Sequence, residues 1–154
     1  MRKLPAALVL LLVAALAACA SGPPKRVFPP QGSLQELRVE ADGQWVARIR
    51  IQNFSTVPMR FSRVEATLSI NGEEATRLVV NPGLTIGPGS NDIVEHRFTP
   101  AAGPRAAVDQ SLANRRAVRY QLTGRIASSE PVTDHPFDYQ SALDPVPGLT
   151  GILR

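Results

Sequence analysis

At 154 residues, with 44% apolar and 19% charged side chains, the chain is long enough for one domain around one core. Its formal charge is +4, but its lysines and arginines form no run interleaved with aromatics, so no nucleic-acid-binding surface is expected. A single cysteine, Cys19, excludes an internal disulfide and a metal centre built from several cysteines.

Met1-Arg2-Lys3 is a short positive start, and Leu4 to Ala18 is almost wholly apolar. A charged start, an apolar run and small residues before a cut mark a secretory leader. The run is too short for a spanning helix, which needs roughly 20 residues. Leu16-Ala17-Ala18-Cys19 resembles the bacterial lipobox, in which the cysteine becomes the lipidated N-terminus. The resemblance implies a leader over residues 1–18 and a lipid on Cys19 that holds the protein on a membrane. Ala20 and Ser21 follow, with no aspartate, so the inner-membrane retention signal of enteric bacteria is absent. The expected location is the cell envelope, on the outer membrane facing the periplasm. Loss of Arg2 and Lys3 with the leader lowers the charge to about +2.

Residues 19–32 are rich in Pro and Gly, without periodicity, and are expected to be an extended tether. Leu34, Leu37 and Val39 begin a first strand that ends at Asp42-Gly43. Trp45 to Asn53 alternates: Trp45, Ala47, Ile49 and Ile51 face one way, Val46, Arg48, Arg50 and Gln52 the other. Period 2 with charge on one side indicates a half-buried antiparallel strand. Asn53, at the strand end, is suited to bonding nearby backbone and closing the connection to Pro58.

Met59 to Ile70 reads as a third strand. Val64, Ala66, Leu68 and Ile70 share a face, whereas Met59 and Phe61 have the opposite parity. A bulge near Ser62-Arg63 reconciles them. Asn71-Gly72 predicts a type I′ hairpin turn into a strand over Glu74 to Val80. A short segment, Leu84 to Ile86, precedes the turn Gly87 to Asn91. Asp92 to Phe98 alternates again, with Val94, His96 and Phe98 together. Thr99 to Pro104 is expected as loop and Arg105 to Arg116 as a short helix, with Val108 and Leu112 four apart. Val118, Tyr120, Leu122, Gly124 and Ile126 then line one face of a long strand. Ser128 to Pro136 reads as loop, Phe137 to Leu143 as a last strand, and residues 144–154 as a loose tail. About seven strands, turn signals roughly every ten residues and one helix indicate an all-β, antiparallel sandwich of the immunoglobulin/fibronectin III type over residues 33–143.

Several of these segments carry a family pattern. A strand ends in Asn53, a polar stretch contains Pro58, and the next strand closes on Asn71-Gly72. The turn Ile86-Gly-Pro-Gly-Ser90 follows, and Tyr120-x-Leu122-x-Gly124 lies late in the chain. Together they resemble the late-embryogenesis-abundant type 2 family, also called the water stress and hypersensitive response domain, from Leu34 to about Tyr139. The Pro58-Met59 segment and the last strand depart from its pattern. The resemblance implies a fibronectin-like sandwich with one helix and no catalytic residues; no cofactor is expected. Its bacterial members look like exported lipoproteins.

No catalytic or phosphate-binding motif occurs. His96 lies on an apolar strand face and is expected to be a half-buried structural histidine. His135 stands between Asp134 and Asp138, but neighbours along a strand point to opposite sides, so no metal site is expected. An enzyme would need His135 and one of these aspartates in a shared cleft. Arg48, Arg50, Arg60, Arg63, Arg119 and Arg125 occupy outward strand positions. Brought together, they form a face for an anionic envelope polymer or a partner protein. Glu36, Glu40, Glu65 and Glu73 are placed to pair with some of them, giving an ordinary solvated surface instead. The expected role is a lipid-anchored, non-enzymatic domain that binds or protects something in the envelope, related to drying or osmotic stress. The alternative is an assembly subunit that pairs with a partner through a sheet edge.

Overall fold

The computed structural model describes residues 24–154; the expected leader and Cys19 lie outside them. The alternating segments form nine strands and one helix among the described residues. In chain order these are β1 (Gln31–Val39), β2 (Trp45–Gln52), β3 (Met59–Ile70), β4 (Glu73–Val80), β5 (Leu84–Ile86), β6 (Asn91–Phe98), α1 (Ala102–Asn114), β7 (Val118–Glu130), β8 (Val132–Leu143) and β9 (Ile152–Leu153). One sheet has the order β6-β2-β1-β9. The other has the order β4-β3-β7-β8, with β5 beside the start of β3. Every pairing is antiparallel.

The core lies between the sheets, where the alternation places it. Ala47, Ile49 and Ile51 are fully buried, as are Leu68, Leu122 and Ile126 from the facing sheet. Each leucine or isoleucine among them contributes roughly 1.5–3 kcal/mol by leaving water. Trp45 meets Phe98 edge to face, with ring centroids 5.8 Å apart. The parity change in β3 is resolved as expected: its register against β7 shifts between Phe61 and Arg63, so Met59, Phe61 and Val64 are all buried. Asn71 and Gly72 take positive φ, 49° and 87°, as a type I′ turn requires. Gly124 faces its cross-strand partner Ala66 so closely that an added Cβ would lie 2.0 Å from the Glu65 carbonyl oxygen.

Four boundaries differ from the sequence reading. The tether expected over residues 19–32 ends earlier, because β1 begins at Gln31. Residues 24–28 are also docked: Thr56 N donates to Arg26 O (2.9 Å), Arg26 N to Thr56 Oγ1 (2.7 Å) and Phe28 N to Ser55 Oγ (2.9 Å). The helix starts three residues early. Pro104 sits in its first turn, where a missing N–H costs nothing. The loop expected over Ser128 to Pro136 is mostly strand, with Pro131 alone between β7 and β8. Residues 144–154 are not loose. Asp144 and Arg154 exchange two backbone hydrogen bonds (2.6 and 2.9 Å), and β9 pairs with Leu37 and Arg38 of β1. The tail therefore supplies the edge strand of the first sheet. A two-residue strand carries too little alternation to be read from sequence.

The antiparallel register defines two ends. One holds residues 24–30, the β2–β3 connection, the β5–β6 turn and Pro131. The other holds the Asp42-Gly43 and Asn71-Gly72 turns, α1 and residues 144–151.

Candidate functional site

The outward face of β6-β2-β1-β9 carries the densest chemistry of the described surface. Cross-strand register puts Glu36 beside Arg48, and Arg48 beside Glu95. Glu36 lies at the centre, its side chain only 3% exposed. Arg154 Nε donates to its Oε2 at 2.7 Å, Arg48 Nη1 is 3.7 Å from the same oxygen, and Arg38 Nη2 is 3.6 Å from Oε1. The lattice extends outward. Arg38 also reaches Glu40 and Glu95, Arg48 Nε lies 3.2 Å from Glu95 without hydrogen-bond alignment, and Arg97 reaches Glu40 and Asp42. Four arginines and four carboxylates thus neutralise one another. That Glu36 pairs with arginines was expected from the sequence, but its outward direction depends on the register shift between Leu34 and Glu36. Its burial was not legible there, because Arg154 arrives from 118 residues away.

The six arginines expected to share a face divide between the two sheets. Arg48 and Arg50 project outward from β2, while Arg60, Arg63, Arg119 and Arg125 belong to β3 and β7 on the opposite outer face. Arg48 is in the lattice, and Arg50 Nε donates to Gln35 Oε1 at 2.9 Å. Arg63 pairs with Glu65, and Arg125 with Asp134 at 3.0 Å. Arg60 stands at the end where residues 24–30 pack, whereas Arg119 lies at the other. The structure does not bring the six into one patch.

His96 is half-buried and stacks on Phe98, with ring centroids 5.9 Å apart; burial holds its pKa below the usual 6.5. His135 pairs across to the core residue Ile126. Asp134 turns outward to Arg125, and Asp138 accepts from Gln121 Nε2 at 2.9 Å. The histidine and its neighbouring aspartates therefore face different sides of β8. Among the described residues, no three His, Cys, Asp or Glu side chains are grouped to hold a metal. No helix among them is long and apolar enough to cross a membrane.

Asn53 does more than its sequence position suggests. Fully buried, it donates through Nδ2 to the carbonyls of Val57 (3.0 Å), Ile86 (3.0 Å) and Gly87 (3.1 Å), and its Oδ1 accepts from Ser55 N at 2.9 Å. It thereby ties the β2–β3 connection to β5 and the turn after it. Ser55, held by Asn53, carries the docked N-terminal residues. Two open grooves lie at the two ends. One, of about 960 Å³, runs between Val39, Leu112, Arg115 and Leu149. The other, of about 350 Å³, lies between Lys25, Val27, Val57, Arg60 and Pro131.

A family model described as "Late embryogenesis abundant protein" matches residues 48–141. No curated protein matches in sequence. Among solved structures, the chain is similar to a protein from Archaeoglobus fulgidus at 17% identity, covering 79% of this chain and 98% of that one, with a TM-score of 0.41. A protein from Arabidopsis thaliana is similar at 11% identity, covering 85% and 87%, TM-score 0.45. A putative late embryogenesis abundant protein is similar at 9%, covering 89% and 78%, TM-score 0.49.

Proposed function

The chain belongs to the late embryogenesis abundant type 2 family, and on that premise we propose that it is a protective binding domain of the bacterial envelope, anchored by lipid on Cys19. The family points to a stress-related, non-enzymatic role. The finer reading adds the place and the manner of action. Leu16-Ala17-Ala18-Cys19, behind its apolar run, supports the lipid anchor, and Ala20-Ser21 supports the outer membrane.

The observation that carries the protective reading is the neutralised lattice around Glu36. As water is withdrawn, the effective dielectric falls and isolated surface charges become costly. Charges that already have partners gain attraction under the same change. A sandwich with one outer face covered by such a lattice holds that sheet where an ordinary surface loses its solvation, and a folded surface can go on shielding its neighbours.

Two measurements test this. Labelled palmitate is expected to enter the full chain and not its Cys19→Ala variant; equal labelling overturns the anchor. The full chain is expected to preserve a labile reporter enzyme through drying better than an equal mass of inert protein, and parity overturns the protective role.

The other reading is an assembly subunit. Its support is β8, a twelve-residue strand at the end of its sheet order. Pro136, Asp134 and Asp138 on that strand disfavour pairing with another chain. Crosslinking in the envelope that captures one stoichiometric partner along β8 would favour this reading over protection.

A further inference from the structure

Four of the large apolar side chains left exposed lie at one end of the sandwich: Val27 (43% exposed), Phe28 (42%), Phe54 (51%) and Val132 (86%). It is the end from which the chain runs back toward Cys19. The Ser55 and Thr56 bonds fix residues 24–28 against the β2–β3 connection, so Phe28 and Phe54 belong to one rigid surface. The 350 Å³ groove brings Val27 and Lys25 against Val57, Arg60 and Pro131, and Val132 follows Pro131 directly. Lys25, Arg26 and Arg60 are exposed here, against Glu130 and Asp92.

We propose that this end is a membrane-docking face, which seats Phe28, Phe54, Val27 and Val132 in the headgroup layer of an anionic bilayer. The proposal rests on the lipid anchor at Cys19. Chain length then supplies the reason for the occupant. Only residues 20–23 separate Cys19 from Pro24, the first docked residue, and a fully extended chain spans at most about 3.3–3.6 Å per residue. Pro24 therefore stays within roughly 18 Å of the acylated residue. A separate protein partner would have to fit inside that gap, whereas the lipid surface is already there. An apolar patch rimmed by cations is the composition that lies stably in a bilayer interface, the cations answering the anionic headgroups. The opposite end, with α1 and residues 144–151, is directed away into the aqueous space.

The test uses the acylated full chain in phosphatidylcholine–phosphatidylglycerol vesicles, with bromine on the upper acyl carbons of the phosphatidylcholine. Phe54→Trp places a fluorophore on the proposed face, and Leu149→Trp places one at the far end. Trp45, fully buried, is a common background. Bromine is expected to quench the Phe54→Trp protein at least about twofold more than the Leu149→Trp protein, as interfacial insertion of one end requires. Adding Lys25→Glu, Arg26→Glu and Arg60→Glu to Phe54→Trp is expected to abolish most of that difference. Equal quenching of the two tryptophan variants in protein that floats with the vesicles overturns the docking face and leaves the anchor standing. Failure to float overturns the anchor itself, and the docking face with it. Quenching that survives the three charge reversals overturns the role given to the anionic headgroups.

Discussion

The Tyr120 hydroxyl donates to the Leu34 carbonyl at 3.0 Å, across the core from β7 to β1. Leu34 sits where β1 shifts register against β2, the kind of bulge that interrupts a ladder and frees a backbone acceptor. The two sheets thus share a directed bond as well as apolar contact. Removing the hydroxyl leaves that carbonyl buried without its partner. Tyr120→Phe is expected to cost about 1–3 kcal/mol, measured by urea unfolding.

The same tyrosine predicts an alkaline limit. Burial pushes its pKa from 10.0 up to about 12, so the folded state keeps the proton that the unfolded state releases first. Its contribution is complete below pH 10 and is lost as pH rises from 10 toward 12. Stability of the wild type is expected to fall across that window, and Tyr120→Phe to flatten the fall. Equal slopes for the two proteins would count against the assignment.

His96 predicts the opposite limit. Burial lowers its folded pKa below the 6.5 of the unfolded chain, so protonation favours unfolding. Its neutral form supports the fold fully above pH 6.5, and that support declines as pH falls below it. In thermal melts across that range, His96→Leu is expected to lose less stability on acidification than the wild type.

Asn53→Asp replaces an amide donor aimed at three carbonyls with an acceptor. The loss is expected to exceed about 3 kcal/mol, because buried carbonyls and a buried charge are then left unsatisfied together. Hydrogen exchange would show the damage first in the β2–β3 connection and β5.

Glu36→Gln removes the charge that three arginines surround. A loss of about 1 kcal/mol is expected, because the three arginine side chains left behind are 30–56% exposed and Arg38 and Arg48 keep Glu95. If the lattice sustains the fold in dry conditions, this variant refolds less completely than wild type after drying and rehydration.

How legible all this was in the sequence depended on range. Alternation in β2, β3, β6 and β7 is local, and each of those strands appeared close to where its residues predicted. The Ser62 bulge was readable because a parity change must be absorbed somewhere. The motif Tyr120-x-Leu122-x-Gly124 now has physical reasons. Tyr120 bonds Leu34, Leu122 fills the core, and Gly124 admits the β3 backbone. What escaped depends on distant partners. Ile152 and Leu153 become a strand by pairing with β1, and Glu36 is enclosed by Arg154 from the far end of the chain together with Arg38 and Arg48. The arginines looked alike in sequence because parity tells outward from inward, but not which of two sheets a strand joins.

The clasp of Ser55 and Thr56 on residues 24–28 also has a mechanical side. Anchored as proposed through Cys19, the protein would be loaded through its N-terminus whenever the surface beneath it moves. Force entering at Pro24 meets a few side-chain and backbone hydrogen bonds to the β2–β3 connection before it reaches β1. These bonds can peel one after another, whereas β1 is paired with β2 from Gln31 to Val39 and with β9 at Leu37 and Arg38, so more bonds must break together to release it. With the lipid proposed for Cys19 in place, the clasp would act as a fuse, opening under tension and lengthening the leash while the sandwich stays intact.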